Sequence, residues 1–192
     1  METQPVLTIV AGANGSGKTT FARPYTKKKH LQFLNADDLT KEYELRGEEN
    51  AMMKGGREFF KLLNNALASK ADIAIETTLS GTYTTKVVAK ARKLGYHIEM
   101  IYIYLADADI CVKRVANRVS LGGHHVPEED IRRRYYRSIT NFRDNYPLLA
   151  DVWFLYHNGW QGYQSVANYD GTVVNVTHEE LYTSFNKIGN DV

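Results

Sequence analysis

Gly12, Gly17, Lys18 and Thr19, inside the stretch VAGANGSGKTTFARP, match the spacing G-x-x-x-x-G-K-[ST]. The chemistry that uses this spacing is phosphate binding. Glycines let the backbone wrap an anion with its N–H groups turned inward. Lys18 neutralises the β- and γ-phosphates, and the Thr19 hydroxyl holds Mg²⁺. The candidate nucleotide contacts run through Gly12, Ala13, Asn14, Gly15, Ser16, Gly17, Lys18, Thr19 and Thr20, with Asn14 and Ser16 read as loop formers. The pattern follows an apolar run and opens a helix, whose positive N-terminal end adds to the cradle.

Two acidic segments supply what a phosphate loop alone lacks. NADD (35–38) follows a short second strand, which places an acid beside the γ-phosphate. A kinase needs a carboxylate there to accept or orient the proton of an attacking hydroxyl. Asp37 is the candidate for that role. Asp before a helix is also a common cap, and Asp38 is the better cap of the two. IAIETTLSG (73–81) ends a third strand at Glu76. Most P-loop ATPases use Asp near this point to hold the Mg²⁺ shell; Glu reaches further and suits a substrate hydroxyl. Glu76 and Thr77 are therefore candidate acceptor contacts, with Thr78 and Ser80 adding hydroxyls. Ser80 and Thr82 also read as helix caps.

Arg114 and Arg118 stand four apart and share a helix face. SLGGHHVPEED follows, and then IRRRYYR. On this second helix Ile131, Tyr135, Ile139 and Phe142 form the apolar face, which Arg132 and Arg134 border. Arginines on either side of a glycine-containing loop fit a lid over residues 118–134, closing on a triphosphate. Arg118 and Arg134 would stabilise the transferring phosphoryl group, and closure would exclude water. A solvated basic helix, or one that holds RNA beside Tyr135 and Tyr136, is the alternative. His124 and His125 lack a third ligand at metal spacing and read as a lid contact or hinge.

The elements that must position these residues alternate strand and helix. Apolar runs at Val6–Ala11, 32–34, 73–75, 97–105 and 152–157 are separated by helical patterns, with short glycine-punctuated strands and a last helix after residue 159. The reading is an α/β P-loop NTPase fold: a nucleoside-monophosphate-kinase-like three-layer sandwich with a mostly parallel five-stranded sheet and an arginine-framed lid. In such sheets ligands sit at the carboxyl ends of the strands, where the candidate residues fall.

A chain of 192 residues with 43% hydrophobic and 24% charged residues can bury one full core, so residues 1–192 read as a single domain. Net charge is only +2, which argues against nucleic acid as a main partner. A single cysteine, Cys111, excludes an internal disulfide framework. METQPVLTIV lacks a basic signal-peptide start, and no run approaches a membrane span, so the expected compartment is the cytoplasm.

In order, GANGSGKTT, NADD, ETTLSG, RVANRVSLGGHHVPEEDIRRRYYRSITN and LYHN resemble the zeta toxin family of small P-loop kinases. The chain is most similar to the compact bacterial branch often labelled a predicted ABC-type ATPase. The resemblance covers about residues 6–157. It implies ATP and Mg²⁺ as cofactors, bound through Lys18 and Thr19, and phosphorylation of a hydroxyl on a small acceptor. For characterised members that acceptor is the amino sugar of UDP-N-acetylglucosamine. It further implies Asp37 as the activating acid, Glu76 and Thr77 at the acceptor, and Arg118 and Arg134 on the phosphates. Related kinases imply stacking of Arg114 on adenine. A separate antitoxin protein is the implied partner. The chain departs from compact relatives at His157, where they carry Asp. A nucleotide-switched or RNA-associated P-loop ATPase without a small acceptor is the competing reading.

Overall fold

The computed structural model describes residues 4–189. The ends of the expected 1–192 domain, including the first three residues of METQ, lie outside the described residues. Strands β1 (Val6–Ala11), β2 (Gln32–Leu34), β3 (Ile73–Thr77), β4 (His97–Tyr104), β5 (Val152–Gly159), β6 (Gly162–Tyr169) and β7 (Val174–Val176) form one sheet in the order β2-β3-β1-β4-β5-β6-β7. The sheet thus has seven strands where five were expected. The five expected strands are its parallel part. The additional β6 and β7 pair antiparallel along the β5 edge. The half-polar run of β6 and the three residues of β7 carry little of the apolar signal that marks a strand covered on both faces.

β1 and β4 read as apolar runs because helices cover both faces of the sheet. Leu7, Ile9, Ile73, Ile75, Ile98, Met100 and Tyr102 belong to the larger core. Val10, Ile101 and Ile103 form a second cluster with Ala22, and Phe21, Tyr25, Phe154, Tyr156 and Tyr163 pack on it. The helices are α1 (Lys18–Lys29), α2 (Ala36–Leu45), α3 (Ala51–Ala68), α4 (Tyr83–Lys93), α5 (Ala108–Ser120), α6 (Glu128–Asn145) and α7 (Glu179–Lys187). Strand order reverses at β1, which lies between β3 and β4, so the loop after β1 opens at a topological switch point. No helix among the described residues is long and apolar enough to cross a membrane.

Four local expectations need correction. A helix from Lys18 to about Lys28 is expected to be cut short or kinked at Pro24; α1 runs through Pro24 to Lys29. The helical spacing of Met53, Phe60, Leu63 and Leu67 over residues 50–70 predicts that these four share a buried face; on α3 the buried face is Gly55, Phe59, Leu63, Ala66 and Leu67, while Met53 and Phe60 are exposed. Asp38 is not the cap of α2. Asn35 is, its side chain accepting the Asp37 N–H at 2.8 Å, and Asp38 instead makes a bidentate pair with Arg23. Thr82 precedes α4 without a side-chain cap bond, and Ser80 pairs with the Thr78 hydroxyl. Asp fits an N-cap as well as Asn does, but only the amide can also donate, and Asn35 uses that donor on Glu76.

Candidate functional site

A cleft of about 700 Å³ opens at the carboxyl ends of β1, β3 and β5. It gathers Lys18, Thr19, Asp37, Glu76, Arg114, Arg118 and Arg134 from segments far apart in sequence. Of the remaining phosphate-loop candidates, Asn14, Gly15, Gly17 and Thr20 also line it, and Thr77 reaches it from β3. Gly12, Ala13 and Ser16 lie behind them; Ala13 and Ser16 are buried. Gly12 is at φ +144°, and a Cβ there would collide with the Ile103 carbonyl, so the tight exit from β1 requires glycine.

The Lys18 ammonium is buried and donates to the Ala13 carbonyl at 2.8 Å, with Glu76 4.0 Å away. Burial pulls its pKa below the ordinary lysine value, while the charges of Glu76 and Asp37 oppose that shift. Glu76 is pushed the other way. Burial raises its carboxyl, and Lys18 and the Thr19 hydroxyl partly restore its charged form. Glu76 Oε1 accepts from Thr19 Oγ1 at 3.0 Å, and Oε2 accepts from Asn35 Nδ2 at 3.0 Å. This carboxylate therefore faces the Thr19 hydroxyl. The pair is an all-oxygen donor set, of the kind a hard divalent cation takes together with waters and phosphate oxygens. Thr19 and Glu76 fit Mg²⁺ on those grounds.

Thr77 is tied down. Its hydroxyl accepts the Leu79 N–H at 3.1 Å and stands 3.4 Å from the Thr84 hydroxyl. These contacts hold the turn after β3, where Leu79 is buried at φ +57° and its carbonyl accepts from Asn141 Nδ2 at 2.7 Å. The polar atoms of Glu76 and Thr77, both on the cleft lining, are thus engaged by Thr19, Asn35 and the turn after β3. Asp37 differs: it is exposed at the start of α2, on the rim of the cleft. It also borders an adjoining cleft of about 350 Å³ with Thr40, Lys41, Met52, Arg118 and His124.

The arginines divide by role. Arg134 reaches across to Asn14 Oδ1 at 3.5 Å and back to Asp130 at 3.4 Å. Arg118 donates to the His124 carbonyl at 2.8 Å, so the loop between α5 and α6 folds back on it. Its Nε has no partner. Arg114 donates to the Asn158 carbonyl at 3.0 Å. Arg132 pairs with Asp109 and Glu128, and Arg133 with Asp130, outside the cleft. Tyr135 is in the core, donating to the Leu105 carbonyl. Among the described residues no cluster of three metal-ligating side chains is found, and His124 and His125 form none.

Sequence reasoning missed Asn35, Tyr83, Asn158 and Tyr163, all in the cleft wall. It singled out His157 instead. Along β5 side chains alternate between faces, so residues 157 and 158 point oppositely. His157 lies against the Tyr104 ring at 5.1 Å and within 3.4 Å of Gln164. Burial lowers its pKa, so it is held neutral more readily than a free histidine. Asn158 is the residue that reaches the phosphate loop. The period-two alternation of LYHN sets Asn158 on the face opposite His157 but does not say which of the two meets the loop.

Residues 7–137 match the family described as AAA domain. An uncharacterized protein of Haemophilus influenzae is 27% identical over 124 residues, covering 65% of this chain and 88% of its own. Among solved structures, the AvrRxo1-ORF1:-ORF2 complex with ATP superposes with TM-score 0.69 at 19% identity, covering 95% of this chain. The present chain spans 63% of that chain's length. A chain from the PezAT chromosomal toxin-antitoxin system of Streptococcus pneumoniae gives TM-score 0.71 at 16% identity, covering 96% of this chain and 78% of its own. At these identities the likeness is one of fold: an α/β P-loop architecture with a mostly parallel sheet.

Proposed function

The chain belongs to the AAA domain family, and from that premise we propose that it is an ATP-dependent kinase acting on a hydroxyl of a small acceptor. One observation carries the reading. An exposed carboxylate, Asp37, with no ion-pair partner among the described residues, stands on the rim shared by the phosphate cleft and a second, smaller cleft. A switch or motor needs the first cleft only.

The chain's own groups divide the work. Loop N–H groups and Lys18 hold the β- and γ-phosphates. Thr19 and Glu76 would hold Mg²⁺, which when bound would neutralise charge on the β- and γ-phosphates. Asp37 accepts the proton of the attacking acceptor hydroxyl and orients its oxygen in line. Arg118 and Arg134 balance charge on the phosphoryl oxygens as the bond to the leaving ADP oxygen breaks. The segment 118–134 acts as the lid. Arg114 lines the same cleft, and its stacking on adenine belongs to the same reading.

The narrower zeta-toxin-like reading, with a UDP-linked amino sugar as acceptor, rests on the motif order and lid sequence. The PezAT and AvrRxo1 chains come from two-protein systems, which supports a search for a separate antitoxin-like partner. The RNA-associated alternative loses ground at the arginine cluster, because Arg132 and Arg133 are paired with acids and Arg134 faces the cleft. The test is incubation with γ-labelled ATP and, in separate reactions, a UDP-sugar panel, a bacterial metabolite extract and RNA. Label on a small molecule is the expected result. Phosphate release stimulated by RNA, with no labelled small molecule, would overturn the proposal.

A further inference from the structure

A phosphate loop works only if its N–H groups face the anion, so its carbonyls must turn the other way and be satisfied there. The N–H and C=O of a trans peptide point in opposite directions across one plane. Fixing a carbonyl therefore fixes the aim of the next N–H. Asn158 Nδ2 donates to the Ser16 carbonyl at 2.8 Å, and the Tyr163 hydroxyl donates to the Gly17 carbonyl at 2.8 Å. The first bond fixes the plane that carries the Gly17 N–H; the second joins the Phe21 N–H, which donates to the same Gly17 oxygen at 3.1 Å, in holding the plane that carries the Lys18 N–H. Both groups belong to the start of α1, where helical N–H groups have no partner within the helix.

The two donors are themselves held. Asn158 and Tyr163 are direct partners in the β5–β6 ladder, next to Gly159↔Gly162 at its tip, and such partners share a face. A one-residue register shift between Leu155 and Tyr156 creates this pairing. The unbroken register of Trp153↔Tyr169 would place Gln164 opposite Asn158. The Tyr163 ring packs edge-on against Phe21 of α1 at 5.3 Å. Asn158 is 7% exposed, and its own carbonyl accepts from Arg114. The approach is so close that a Cβ on Gly17 would collide with Asn158 Nδ2 and come within 3.0 Å of the Tyr163 hydroxyl.

We propose that the β5–β6 hairpin is a fixed clamp on the phosphate loop, with Asn158 and Tyr163 as positioning residues that aim two N–H groups at the nucleotide phosphates. The inference rests on the phosphate-loop reading above, and not on the identity of any acceptor. Tyr163→Phe removes one hydroxyl and keeps the ring against Phe21; Asn158→Ala removes the other donor.

The test is calorimetric titration of the full chain and both variants with ADP and with inorganic pyrophosphate, in the presence of Mg²⁺. Each variant should bind both probes on the order of tenfold more weakly, which corresponds to about 1.4 kcal/mol, within the range for one lost hydrogen bond. The ligand-free melting temperature of Tyr163→Phe should stay near the parental value. Should Asn158→Ala fold poorly, Tyr163→Phe decides alone. Parental affinity for both probes would overturn the clamp. So would weaker ADP binding with unchanged pyrophosphate binding, which would place the hairpin against the nucleoside instead. A chain that passes this test yet transfers no phosphate would defeat the kinase proposal and leave the clamp standing.

Discussion

The cleft has two walls built on different principles. One comprises the phosphate loop, Asp37, Glu76 and Arg114, Arg118 and Arg134 of α5 and α6, all within the matched residues 7–137. Its side chains present charge to the cleft. The other is the β5–β6 hairpin, which lies beyond residue 137 and offers an amide and a phenol to loop carbonyls. The first wall bears the groups proposed to react, and the second sets the shape of the loop that bears some of them. Charged residues in fixed local spacing leave a sequence signature. An Asn and a Tyr that act by pairing across a hairpin leave almost none.

Substitutions should separate the walls by size and kind of effect. Arg134→Ala is expected to have the largest effect. Removing a guanidinium from the transferring phosphoryl group should slow transfer roughly 1,000-fold or more, with ADP affinity changed far less, as read by single-turnover kinetics beside calorimetry. A loss confined to nucleotide affinity would move Arg134 from the reacting wall to a binding role. The hairpin variants belong in the middle, with affinity falling on the order of tenfold per bond.

A pH series then probes the cation side. Burial raises the Glu76 carboxyl above the ordinary glutamate value. As pH falls, Glu76 therefore takes up a proton earlier than an exposed glutamate, and a neutral carboxyl no longer attracts a cation. Mg²⁺-dependent ADP affinity should decline as pH falls, beginning at a higher pH than an exposed glutamate would set. Glu76→Gln should bind more weakly throughout and lose that dependence. A variant with the parental pH profile would remove Glu76 from the cation site. The smallest effect is expected for His157→Asp. The residue faces Tyr104, away from the loop, so ADP affinity should remain within about twofold, well under one hydrogen bond. A tenfold change would show that the opposite face of β5 is coupled to the cleft.

What was legible follows the same division. GANGSGKTT, the strand-ending acids and the arginine-framed loop were readable because each is a local pattern with its own mechanism. So was the parallel part of the sheet, since strands covered on both faces form continuous apolar runs. The choice of Phe59 over Phe60 depends on how α3 rolls against its neighbours, and two adjacent phenylalanines do not specify it. Asn35 was hidden because its amide serves two elements at once, capping α2 with its oxygen and holding Glu76 with its nitrogen. The pairing of Asn158 with Tyr163 depends on a register shift that local composition does not encode. Glu76 and Thr77 were placed at the right strand end, yet their polar atoms turn to Thr19 and to the Leu79 turn.

Asp37→Asn provides the most direct test, because it keeps size and hydrogen-bonding capacity but removes the base. Transfer of label from γ-labelled ATP to the small-molecule fraction should be measured for the parent and this variant, with ADP affinity determined on the same samples. Transfer slowed roughly 100- to 10,000-fold with ADP affinity unchanged is the expected result. Label transfer at the parental rate would contradict the account, since the proton of the acceptor hydroxyl would then be leaving by another route.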